Sequence, residues 1–138
     1  VTVTLNMARK ILGAGKKEAR RRGILCSIAI VDENGWLVAL HRMDGASIPT
    51  ADIARDKAWT AAVFRMPSSA ISRLGNPQSP GSGFNTQNWN DRLTTIAGGL
   101  PIEDDTKVIG GIGVCGETPE QDVNICQAAI KTLPTRNS

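Results

Sequence analysis

The chain has no tyrosine and one histidine, His41, and aromatic side chains make up only 4% of its 138 residues. Its core must therefore be built from Ala, Ile, Leu and Val, and a hydrophobic content of 41% is enough for one domain spanning residues 1–138. The three cysteines, Cys26, Cys115 and Cys126, are odd in number and widely spaced. That spacing argues against a disulfide framework and a zinc site, and describes small buried thiols in a reducing compartment. No apolar run approaches the length that spans a membrane, and no signal peptide stands at the start. The cytoplasm is the expected location, although a start without Met is also what export processing would leave. The formal net charge is +3, with Lys16, Lys17, Arg20, Arg21 and Arg22 in one short segment. No aromatic platform or binding motif accompanies these cations, so nucleic acid is not the expected partner. They read instead as the solvated, dipole-favoured end of a helix.

What is present is a clear order of elements. Leu5, Ala8, Leu12, Gly15 and Ala19 recur at helical spacing, and Gly23 supplies the stop. Residues 24–31 form an apolar run that reads as a strand covered on both faces, and 36–43 reads as its hairpin partner. Asn34-Gly35 between them is the preferred centre of a two-residue turn, where both residues take positive φ. Pro49 opens a second helix to about Phe64 with an alanine-rich surface, Pro67 breaks it, and Ser68 caps a short third helix closed by Gly75. Residues 76–92 are rich in turn formers and read as a long loop containing Phe84 and Trp89. Strands are expected at Leu93–Ala97, bent by Gly98-Gly99-Leu100-Pro101, and at Lys107–Cys115, with a turn at Glu103-Asp104-Asp105. Thr118-Pro119-Glu120-Gln121 predicts a capped helix start with a capping box, and Pro134 its end. The fold class is therefore α+β, an antiparallel sheet flanked by helices.

Gly111-Ile112-Gly113-Val114-Cys115-Gly116 matches the glycine pattern of dinucleotide-binding turns. No strand follows the next helix, so these glycines read as a close approach to a packed neighbour. With the elements placed, the chain resembles the GlcG/HbpS family, which includes the C-terminal domain of a cobalamin adenosyltransferase. The matching blocks are Ala29-Ile30-Val31-Asp32 with Gly35, Arg42-Met43-Asp44-Gly45-Ala46, and Ile53-Ala54 with Lys57-Ala58 and Thr60-Ala61. Gly98-Gly99-Leu100-Pro101, Val108-Ile109-Gly110, Ile112-Gly113-Val114, Gly116 and Asp122 follow in order. The resemblance implies a profilin-like fold in α/β/α layers with a five-stranded antiparallel sheet, and homo-oligomers from dimer to octamer. It implies a small-molecule ligand, haem in some members. The adenosyltransferase domain is expected to use a histidine of its first helix. The first helix here has none, leaving His41, Met43, Cys115 and Cys126 as candidate axial ligands.

Chemistry-bearing residues concentrate in two places. Lys57 falls on the inner stripe of the second helix, where a lysine is either paired with Asp32, Asp44 or Asp122 or acts as a base or pocket cation. The strand ending in His41, Arg42 and Asp44 offers a proton carrier and a carboxylate clamp, or a hairpin-end salt bridge. A ligand pocket is expected between this corner, Lys57 and the Gly98-Gly99 bend, with Trp89 of the long loop as its cover and Cys115 and Glu117 near a helix start. Two functions fit. One is a binding protein for haem or another planar metabolite. The other is a small catabolic enzyme moving protons on an acidic metabolite, with Lys57, His41 and Asp44 as its catalytic set.

Overall fold

The computed structural model describes residues 2–75 and 90–133. The elements run α1 (Leu5–Arg21), β1 (Ser27–Asp32), β2 (Leu37–Arg42), α2 (Pro49–Phe64), a 3-10 helix (Ser68–Gly75), β3 (Gly99–Asp104), β4 (Lys107–Cys115) and α3 (Pro119–Ile130). The strands form one antiparallel sheet in the order β2-β1-β4-β3. Alternation along the strands divides the core into two layers. Ile28 and Ile30 of β1, with Ile112 and Val114 of β4, pack with Ile11 and Leu12 of α1 and Ile125 and Ala129 of α3. Ala29 and Val31 point to the other face, against Ala54, Ala58 and Ala62 of α2.

That second interface explains the glycine pattern at the end of the chain. A β-carbon on Gly113 would collide with the Ala54 carbonyl oxygen, and one on Gly111 with that of Ala58. Glycines on β4 and alanines on α2 thus bring the helix backbone almost onto the sheet. The motif is a packing device.

Four strands are present among the described residues, not five. The segment Leu93–Ala97 is not extended ladder, because its polar groups bond to side chains instead. The Thr60 hydroxyl, whose proton goes to the Asp56 carbonyl at 2.8 Å, accepts from the Thr94 amide. The Ser68 hydroxyl donates to the Ile96 carbonyl and accepts from the Gly99 amide. Ser68 thus staples this segment, where a helix-capping role was expected, and the turn it opens is a 3-10 helix. The Gly98–Pro101 stretch bends only at Gly98, and β3 begins at Gly99 and accepts Pro101 because it is an edge strand.

The hairpin turn also differs from its expected type. Gly35 has φ of 87°, but Asn34 is not in the positive-φ region. The Gly35 amide donates to the Asp32 carbonyl, the Asp32 amide donates to the Trp36 carbonyl, and the register shifts between Ile30 and Val31. This is a three-residue loop with a glycine bulge. The Asp32 carboxylate selects it by accepting from the Asn34 and Trp36 amides at 2.9 and 3.0 Å. Of the expected capping box, the Thr118 hydroxyl accepts from the Gln121 amide at 3.2 Å, while the Gln121 side chain binds that hydroxyl rather than a backbone amide.

Candidate functional site

The two groups of chemistry-bearing residues occupy separate places. Lys57 is 1% exposed, and its ammonium donates to the Val114 carbonyl at 2.9 Å and to Asp122 Oδ2 at 3.1 Å. The reason lies in the sheet. The β3–β4 ladder starts at the pair Gly99–Gly113, so β4 has no strand partner at the Val114 carbonyl. Gly98 turns away with φ of 123°, and Lys57 crosses from α2 to α3 through the space this leaves. A β-carbon on Gly98 would sit 2.7 Å from the Lys57 ammonium. Gly98 and Gly99 are buried here and make room for a lysine, rather than for a ligand. Burial, the largest influence, pushes the Asp122 carboxyl above its ordinary range against the opposing pull of Lys57. Asp122 Oδ1 has no hydrogen bond of acceptable geometry, although the Gly116 amide is near enough to favour the ionised form.

The sulfur chemistry surrounds this pair. The Cys126 thiol donates to the Gly98 carbonyl at 3.1 Å, and burial pushes its pKa far up. Burial likewise raises the Cys26 thiol to about 11 and, against the pull of Lys57, raises that of Cys115. All three cysteines are free. Glu117 is exposed at the foot of α3, ahead of its Thr118 cap.

The second group lies at the end of β2. His41 pairs with Ile28 in the β1–β2 ladder, which places it on the face covered by α1. A surface cleft of about 360 Å³ opens there. Lys16 and Arg20 of α1 line it together with His41, Arg42 and Asp44. Leu25 and Met43 supply apolar surface beside His41. The Arg42 guanidinium donates to the Ala46 carbonyl at 3.2 Å, and among the described residues it makes no ion pair with Asp44. Desolvation, then the nearby charges of Lys16 and Arg9, lower the His41 pKa below its ordinary value.

His41, Arg42 and Asp44 therefore share a cleft, whereas Lys57, Gly98, Gly99 and Cys115 do not line it. In cross-strand order Ile28 stands between His41 and Val114, so the two centres are roughly two strand spacings, about 10 Å, apart. Trp89 lies outside the described residues. Sequence reasoning missed Lys16 and Arg20 as cleft residues, having assigned them to a solvated face. Their spacing of four, which stacks them on one side of α1, was the available signal.

Comparison with known proteins agrees with this fold. The family model described as haem degrading protein HbpS-like matches residues 3–131. Protein GlcG of Escherichia coli is 35% identical over 114 residues, covering 83% of this chain and 81% of that protein. The crystal structure of a double mutant of Streptomyces reticuli HbpS superposes with a TM-score of 0.85 at 30% identity, covering 97% of this chain and 88% of the other. The crystal structure of a PduOC complex with haem superposes with a TM-score of 0.86 at 26% identity, covering 96% of both chains.

Proposed function

This chain belongs to the HbpS-like family, and from that premise we propose that it binds haem or a related planar, acid-bearing metabolite in the cleft at the end of β2. The observation that carries the reading is a surface imidazole in a cleft lined by cations and apolar side chains. Haem iron takes an axial nitrogen or sulfur donor with a free electron pair. Of the candidate donors, the Cys115 and Cys126 thiols are held protonated by burial. Met43 directs its sulfur at the Cys26 thiol, 3.7 Å away. His41 remains, at the surface and with its pKa lowered by desolvation. Lys16 and Arg20 are placed to meet carboxylates, and Leu25 and Met43 to cover part of a flat apolar body. A volume of about 360 Å³ is within the range of small-molecule sites.

The test is an absorbance titration with haem. Wild type is expected to give a shifted Soret band that saturates near one equivalent per chain, and His41→Ala a different band. No shift with wild type overturns the reading. An unchanged band in His41→Ala overturns the assignment of the axial ligand.

Proton transfer by Lys57 has no comparable support. Its ammonium is committed to a carbonyl and a carboxylate and is shut off from water. We also propose a homo-oligomer. Trp36 and Ile48 are 64 and 81% exposed, and among the described residues β2 and β3 are the edge strands of the sheet. Light scattering at micromolar concentration is expected to show at least a dimer, and a monomer refutes it.

A further inference from the structure

The charge of this protein is concentrated on one helix. Of its sixteen basic and thirteen acidic residues, α1 with Arg22 holds seven of the basic and only one of the acidic, Glu18. Glu18 does not neutralise the cleft, because Arg21 and Arg22 both hold its carboxylate, Arg22 at 2.8 Å. Among the described residues Lys16 and Arg20 form no ion pair. The cleft therefore presents Lys16, Arg20 and Arg42 against the single carboxylate of Asp44. An uncharged flat molecule seated there would strip water from these cations and return nothing, a penalty that carboxylates remove.

Resting on the haem reading, but going beyond it, we propose that the cleft selects its ligand by paired carboxylates on a planar apolar body and captures such a molecule without any metal. Lys16 and Arg20 anchor it. They are one helical turn apart and partly or fully exposed, so their charges can be removed without disturbing the core.

The experiment uses metal-free protoporphyrin IX, its dimethyl ester and haem, each titrated into the full chain by fluorescence quenching or absorbance. The diacid is expected to bind wild type, more weakly as salt rises. The ester is expected to bind at least about tenfold more weakly. Lys16→Gln/Arg20→Gln should weaken the diacid at least about tenfold, with circular dichroism and melting unchanged. Equal binding of diacid and ester, or indifference to the double substitution, overturns the proposal. If haem binds with a His41-dependent Soret band but the metal-free diacid does not, this inference fails and the haem reading stands. If the diacid binds through Lys16 and Arg20 while haem gives no shifted band, the haem reading fails and carboxylate selection stands.

Discussion

Replacing Lys57 by Met tests the reading of the buried pair most directly. At 3.1 Å the ammonium and the Asp122 carboxylate attract by about 5 kcal/mol at an effective dielectric of 20. Desolvation of two ions takes back several kcal/mol each, so the intact pair contributes little net stability. Breaking it is different. Lys57→Met strands a carboxylate that is 2% exposed and already has one oxygen without a well-formed hydrogen bond. The expected loss is about 3–5 kcal/mol. For a chain of this size that lowers the melting temperature by roughly 10–20 °C. Adding Asp122→Asn removes the stranded charge, so the double variant is expected to melt above Lys57→Met alone.

The pH dependence has a definite sign. Burial raises the folded carboxyl above its ordinary 3.8, and loss of the cation raises it further. A carboxyl with a raised folded pKa favours the native state most below its unfolded value, and that favour is lost as pH rises through the folded value. The deficit of Lys57→Met relative to wild type should therefore shrink on acidification from pH 8 toward pH 4. Thermal melts followed by circular dichroism across that range read both effects. A deficit independent of pH, or a double variant that loses the sum of the two single losses, refutes the ion-pair account.

Other expectations follow from packing and chemistry. Gly113→Val forces side-chain atoms into the α2 backbone and should destabilise by more than about 3 kcal/mol, read by denaturant melts. Gly13→Ala in α1 meets open space and relieves a helix-interior glycine, so it should stabilise by about 0.5–1 kcal/mol in the same assay. Thr118→Ala removes the cap of α3 and should cost about 1 kcal/mol. At pH 8 the native protein should expose at most Cys115 to a thiol reagent, whereas denaturant should release all three cysteines; fast reaction of Cys126 in the native state would contradict its burial.

Local chemistry by itself determined much of this protein. Periodicity and stop signals located α1, and prolines and caps located the starts of α2 and α3, because those choices depend on residues a few positions apart. Apolar runs located β1 and β2. Lys57 was legible as a buried cation for the same reason: its place on the inner stripe of α2 follows from helical spacing.

What tertiary structure decided was which partners these groups found. Asp122 was one of three carboxylates open to Lys57, and the gap at Gly98 beside the end of the β3–β4 ladder selected it. Leu93–Ala97 has the composition of a strand, but the hydroxyls of Thr60 and Ser68, far away in sequence, took its hydrogen bonds. Lys16 and Arg20 looked like solvated charge until the sheet register set His41 beside α1. Hydrogen bonds and charges act over a few ångströms, and only the folded chain brings together residues separated by tens of positions.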